Sequence, residues 1–532
     1  FELLSKMYLE RGYREREIPG LVLSKNLHGM EIDRRAAQIA RLALAMCARE
    51  LDRRFFGRGV QADIAVLAPV ALGEGDVPHG SALEKRKDLV DALAHLDEVG
   101  SLLAPGEDDL AAIRDAIALT GADGLFGSSS KERLQRALDT CETLARRHDC
   151  VVANPPYMGS SSFGPFMSKW VKKNYPDVKS DLCTCFIERG FSLTKDRGYA
   201  AMVTMQSWMF LGSFEKMRSS LIGSKSILSM LHLGPRAFDA IGGEVVNVTA
   251  DVVYNGRAAC EGAYVRLVDI NGSDAKRQKA LEAIGNPDCG RLYRRDAETF
   301  KQIPGTPIAY WASEVTYEAF SANEKIREHA WGCNGMTTGE NDRFLRLWFE
   351  VGSSSSEYCS SSAAEAKRSG ATWFPYNKGG DFRKWYGNEE WVIDWKDDGK
   401  RARDYGHLVP RSQKYMFLPE ITWSKISSGK AAFRYKDKGH LFDVAGLCLF
   451  PNEEKADLSL LAFCNSSVAQ SFLSFLCPTL NFEVGGVCSM PFVDLNSARG
   501  EVDRLASDCI SDSLTDYNSF EISCDFKRHP LV

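Results

Sequence analysis

No apolar run of about 18 residues and no N-terminal signal pattern occurs in the sequence, so neither a membrane span nor secretion finds support in it. Cys-x-x-Cys pairs are also missing. Fifteen cysteines are scattered over 532 residues, with only Cys183-Thr184-Cys185 closely spaced. That spread argues against a disulfide scaffold and gives a structural zinc site no ligand pattern; the cysteines read as reduced core thiols, and no metal is expected. Nor is there a strong excess of charge: the net charge of −5 averages over domains and leaves nucleic-acid partners open. The length fits two or three domains with substantial cores.

What the chain does contain is Asn154-Pro155-Pro156-Tyr157, directly after the apolar run Cys150-Val151-Val152-Ala153. This tetrad suits an enzyme that methylates an amino nitrogen on a planar, conjugated group. The exocyclic amine of adenine has its lone pair drawn into the ring and is a poor nucleophile. An Asn amide oxygen and the carbonyl of the next Pro can each accept one amino hydrogen, which localises the lone pair toward an electrophilic methyl by positioning and electrostatics. Two prolines fix φ and lack N–H groups, so the turn is stiff and its carbonyls point outward. Tyr157 offers a flat face to a base extruded from a duplex. The plain alternative is an ordinary strand-ending turn, which Asn-Pro and Pro-Pro also mark.

The neighbourhood favours the catalytic reading. Residues 148–153 read as a short buried strand of a parallel sheet, which puts the tetrad at a strand's carboxyl end, where open α/β sheets bind ligands. Residues 27–33 read as a second strand ending in acid, followed by a helix over 36–49. An acidic residue at such a strand end commonly holds the ribose hydroxyls of a nucleoside cofactor. Glu31 is the better candidate and Asp33 the helix N-cap; a capping cluster without a ligand is the alternative. Helices are predicted over 83–96, 111–119 and 214–222, and a core strand over 198–204.

Several blocks together resemble a known family: residues 149–159, Lys172-Lys173-Asn174-Tyr175-Pro176-Asp177, Lys179-Ser180-Asp181-Leu182, Phe186-Ile187-Glu188-Arg189, Gly198-Tyr199 and Gln206-Ser207-Trp208-Met209-Phe210. They look like the PglX family of adenine-specific DNA methyltransferases from BREX phage-defence systems, and the likeness runs through most of the chain. The resemblance implies N6-adenine methylation of DNA with S-adenosylmethionine in the cytoplasm, alongside other BREX proteins. It implies Asn154, Pro155, Pro156 and Tyr157 as the catalytic motif, Asn154 also facing the cofactor, and Glu31 as the ribose ligand. Asp123, in a stretch resembling a family loop, is a candidate for the cofactor's adenine, with a plain turn as the alternative. Phe238 stands where related methyltransferases put a second aromatic against the flipped base, with Tyr157 on the other side; a core role is the competing reading.

One departure stands beside these matches. Such methyltransferases carry a Gly-rich loop of the form acidic-Pro-x-x-Gly-x-Gly after their first strand, and the chain has none. It opens at Phe1 on residues resembling the helix after that loop, and Lys527-Arg528-His529-Pro530 stops where the family continues. The expected fold is therefore α/β: a Rossmann-like class I methyltransferase domain over 1–255 without its first strand, a connector over 256–325, and a mixed α+β target-recognition domain over 326–532.

Charge supports a nucleic-acid role for the last part. Between Lys367 and His440 there are sixteen Lys and Arg against nine Asp and Glu, a local excess of +7 interleaved with Trp385, Tyr386, Trp395, Tyr415, Trp423 and Tyr435. Arg383, Lys384, Lys425 and Arg434 are the candidate DNA contacts, against the alternative that the aromatics pack a β-rich core and the charges line a solvated face. Two other functions compete with DNA methylation. One is an RNA or protein-amide methyltransferase, since glutamine-modifying enzymes use the same tetrad; the other is a DNA-binding or assembly subunit that does not catalyse.

Overall fold

The computed structural model describes residues 1–531 except 74, 121–124, 239–245, 428, 453–456, 494–497 and 530. The chain divides into two compact units, one formed by Phe1–Gln206 with Ser220–Leu292, the other by Ser207–Ser219 with Tyr293–Val532.

The first unit is α/β. β1 (His28–Glu31) and β2 (Asp63–Val66) pair in parallel as a two-stranded sheet, from His28 opposite Asp63 to Glu31 opposite Val66. The crossover between them is the helix Arg34–Leu51, rich in the strong helix formers Ala, Leu and Arg. Asp33 is its N-cap and accepts from the N–H groups of Arg35 and Ala36.

A separate sheet of six strands runs β3 (His148–Ala153), β4 (Thr194–Met205), β6 (Val248–Tyr254), β5 (Ser226–Gly234), β7 (Gly262–Arg266), β8 (Leu292–Arg295) in spatial order. β3 is parallel to β4, and β6 is antiparallel to both β4 and β5. The stretch read as a connector carries β7 and β8 of this sheet, with the helices Ser273–Gly285 and Glu314–Ala322. The expectation of a buried β3 is corrected: Val152 is 81 % exposed, and Asp149 and Cys150 are exposed as well. β3 ends its sheet, hydrogen-bonded to β4 alone, and no further strand covers its outer side among the described residues.

The second unit is built on two four-stranded sheets. One has the order β10 (Leu345–Leu347), β12 (Trp391–Asp394), β11 (Trp373–Asn377), β15 (Leu441–Phe442); the other β14 (Phe433–Lys436), β13 (Glu420–Ser424), β16 (Gly446–Pro451), β9 (Ala330–Cys333). Their core includes Met336, Phe374, Tyr376, Trp395, Phe417, Phe442 and Phe450. Trp423 is also fully buried, its indole N–H donating to the Phe482 carbonyl at 2.8 Å. Among the described residues no single helix is long and apolar enough to cross a membrane, and no group of three or more His, Cys, Asp or Glu is placed to hold a metal.

Candidate active site

β1 delivers Glu31 to its carboxyl end, and β3 delivers Asn154 to its own. These two strands share no hydrogen bond. A cavity of about 820 Å³ is lined by residues 28–32 from one side and 150–156 from the other, so Glu31, Asn154, Pro155 and Pro156 meet at one space. Its other walls are largely apolar, with Val99, Leu102, Phe163, Met167 and Phe186 among them. Volume and lining suit a small organic ligand.

The polar groups are arranged as follows. One carboxylate oxygen of Glu31 accepts from the Asp33 N–H at 2.9 Å, and the group makes no other hydrogen bond among the described residues. Asn154 is exposed and Pro155 buried. The Tyr157 hydroxyl lies 3.2 Å from both the Asn154 Oδ1 and the Val203 carbonyl. A phenol has one proton and donates to one of them at a time. When it chooses Asn154, it orients the carboxamide and leaves the second lone pair of Oδ1 open. Burial pushes the Tyr157 hydroxyl up to about 12, so the ring stays neutral.

Arg189 braces the wall of the cavity. It is buried, and its guanidinium donates to the Ser101 and Leu144 carbonyls, each at 2.6 Å, and to Ser192 Oγ at 2.8 Å. The helix Leu182–Leu193 is thereby tied to the segment that supplies Gly100, Ser101 and Leu102. Gly100 has φ +49°, and a Cβ there would come within 2.9 Å of Ile32. Sequence reasoning missed this part of the site. Asp97, Glu98 and Gly100 also line the cavity, yet their short helical turn carries no motif that marks it.

The remaining candidates fall in different places. Asp123 lies outside the described residues. Phe238 is half-buried on the loop after β5. In the second unit, Lys384 donates to the Asn465 carbonyl at 2.7 Å, Lys425 pairs with Glu483 at 3.0 Å, and Arg383 stacks over the Tyr517 ring at 5.3 Å. Arg434 needs a correction as a surface contact: it is fully buried, donates to the Arg383 carbonyl and to Ser424 Oγ, and burial lowers its guanidinium to about 10. It is a core cation held by neighbouring oxygens. Trp395 likewise belongs to the core.

The Eco57I restriction-modification methylase family matches residues 25–238, a span holding both strand ends. Over its whole length the chain is 37 % identical to the adenine-specific methyltransferase PglX of Lacticaseibacillus casei (strain Zhang) and 35 % identical to the adenine-specific methyltransferase BrxX of Escherichia coli O9:H4 (strain HS). It covers 46 % and 45 % of those proteins, and so spans about half the length of these relatives. Two solved structures share its fold at 11 % identity. The Type IIL restriction-modification enzyme MmeI in complex with DNA matches with a TM-score of 0.54 over 96 % of this chain and 64 % of that one. A nuclease-deletion mutant of the Type ISP restriction-modification enzyme LlaGI with a DNA substrate mimic matches with 0.51 over 96 % and 43 %.

Proposed function

We propose that this chain, similar along its whole length to the adenine-specific methyltransferases PglX and BrxX and spanning about half of each, carries the catalytic and recognition parts of a site-specific DNA methyltransferase. The reaction is transfer of a methyl group to N6 of an adenine rotated out of the duplex, within a BREX phage-defence system that supplies further protein partners. The observation that carries this reading is the shared cavity: a carboxylate at one strand end and an Asn-Pro-Pro-Tyr turn at another line the same space.

S-adenosylmethionine supplies the methyl group when bound. The residues present fit its nucleoside part. Glu31 offers an acceptor oxygen to a ribose hydroxyl, and the apolar walls at Met30, Ile32 and Val99 offer packing for a purine. Asp123 is the proposed neighbour of the cofactor's adenine. Asn154 Oδ1 and the Pro155 carbonyl accept the two hydrogens of the target amine and pull its lone pair out of conjugation. Tyr157 stacks on the target base, with Phe238 as its partner on the other face. The rigid Pro155-Pro156 turn fixes the acceptors before the base arrives, which lowers the entropic cost of alignment. Residues 1–255 hold the catalytic residues in this reading, β7 and β8 from the stretch first read as a connector complete their sheet, and 326–532 recognise the target sequence, with Arg383, Lys384 and Lys425 exchanging their present partners for phosphates.

The test is exchange of the 326–532 region in the full-length protein for that of a relative. Target recognition by this region requires the methylated sequence to change with the exchange; an unchanged sequence rejects the assignment.

A further inference from the structure

The cations first expected to meet DNA are engaged internally: Arg434 in the core, Lys384 on a carbonyl, Lys425 on Glu483, Arg383 on Tyr517. Elsewhere in the second unit stands a group with the opposite character. Phe450, Tyr415 and Trp331 form a column of near-parallel rings. Tyr415 lies 4.9 Å from Phe450 with planes 18° apart, and Trp331 lies 6.3 Å from Tyr415 with planes 21° apart. The inner end is buried, with Phe450 4 % exposed, whereas Trp331 at the outer end is 55 % exposed on the edge strand β9. The Lys414 ammonium sits over both outer rings, 4.7 Å from the centroid of Tyr415 and 5.8 Å from that of Trp331.

A tryptophan leaves that much surface in water at a cost, and the geometry here is that of a platform. Its plane is set by the ring behind it, and that ring is anchored in the core, so little side-chain entropy is lost on receiving a planar ligand. The loop that carries Tyr415 is basic over a short stretch. Residues 405–419 hold Arg411 and Lys414 and no acidic residue. Neither of these cations forms an ion pair with a carboxylate among the described residues. A planar aromatic face beside the Lys414 ammonium, which has no carboxylate partner among the described residues, matches a nucleobase with its phosphate; an acidic peptide would satisfy the charge but leave the ring plane unused.

The geometry points to Trp331 and Lys414 as a second nucleic-acid contact, in which Trp331 stacks on a base exposed outside the duplex stack and Lys414 meets an adjacent phosphate. This inference rests on the DNA reading above. A closed duplex shows base faces only at its ends, so the partner is DNA opened at one or a few nucleotides, the form that base extrusion creates. The contact carries no chemistry: Trp331 and Lys414 act on binding.

The 532-residue chain is titrated by fluorescence anisotropy against a labelled DNA duplex and the same duplex with a short unpaired bubble, across a range of salt. The unsubstituted chain is expected to prefer the bubble. Trp331→Ala should weaken bubble binding by about tenfold or more while barely changing duplex binding, and Trp331→Phe should keep most of the preference. Lys414→Gln should reduce the salt slope by about one for both DNAs. If Trp331→Ala proves misfolded by thermal melting, Trp331→Leu, which keeps apolar bulk without the planar ring, takes its place beside Lys414→Gln; an unchanged bubble preference in Trp331→Leu with an unchanged salt slope in Lys414→Gln then overturns the platform. Ring-removing Trp331 and Lys414→Gln variants that bind like the unsubstituted chain overturn the platform and leave the DNA reading standing. An unsubstituted chain that binds neither DNA overturns both.

Discussion

The carboxylate of Glu31 and the carboxamide of Asn154 line one cavity although they end strands in different sheets, β1 and β3. Neither sheet forms the site alone: β1 supplies Glu31, and the end of β3 leads into Asn154. Among the described residues Glu31 keeps one oxygen without a partner, so its expected role is to accept from a ribose hydroxyl. In the full-length protein, Glu31→Ala should weaken S-adenosylmethionine binding by about tenfold to a hundredfold, the worth of one charge-assisted hydrogen bond. Titration calorimetry measures this directly, and an unchanged affinity removes Glu31 from the site.

Tyr157 has two assets that substitution separates. In the proposed reaction its ring stacks on the target base, and its hydroxyl, 3.2 Å from Asn154 Oδ1, steers that carboxamide. Tyr157→Phe keeps the ring and should retain methylation within about tenfold; Tyr157→Ala loses the ring and should fall by about a further tenfold to a hundredfold. Since burial holds the hydroxyl near about 12, the unsubstituted enzyme should show no ionisation of Tyr157 in its rate profile between pH 7 and pH 10. Equal rates for the Phe and Ala variants contradict base stacking.

Arg189 should behave as a brace. Its three donors satisfy two carbonyls and a hydroxyl with no carboxylate involved, so Arg189→Met leaves the Ser101 and Leu144 oxygens buried without donors. A loss of about 2–4 kcal/mol in stability is expected, with weaker cofactor binding because Leu102 and Ser101 line the cavity. Denaturant unfolding and calorimetry report the two effects separately.

How much of this was legible in the sequence depends on how local the signal was. The span of β3, the helix after β1 and the Asp33 cap follow from apolar runs and capping residues read within a few positions. The exposure of Val152 was not legible, because a run of Val and Ala reads as buried, and only the strand's place at the end of its sheet decides otherwise. Arg434 failed for a related reason. A basic residue among aromatics looks the same in sequence whether it faces solvent or a set of core oxygens. The Trp331–Tyr415–Phe450 column joins β9, a loop and β16, and no spacing rule connects them.

The second unit should carry a pH signature from a buried cluster. Glu389 accepts from Lys436 at 2.5 Å and lies 2.9 Å from His440 Nε2. Burial pushes the Glu389 carboxyl up, but Lys436 and His440 outweigh it and hold it at about 2, below its ordinary 4.5. Burial pushes His440 down, and Glu389 outweighs that and raises it above its ordinary 6.5. The carboxylate's contribution is therefore present above about pH 4.5 and lost as pH falls toward 2; that of His440 is present below about pH 6.5 and lost as pH rises through its raised value. Glu389→Gln should cost about 3–5 kcal/mol near pH 6 and flatten both limbs, because it leaves Lys436 buried without its counter-charge. Melting temperatures from pH 3 to pH 9 check both statements.

The central claim is that the Asn154 turn methylates adenine in DNA. Its most direct test is long-read sequencing of host DNA carrying the full-length gene and its neighbours, with and without Asn154→Ala, paired with DNA binding by both proteins. The expected result is N6-methyladenine at one recurring motif, present with the intact gene and gone in the variant, while DNA binding changes by less than about threefold. Methylation that persists in Asn154→Ala, or no methylation with the intact gene and all its neighbours, contradicts the claim.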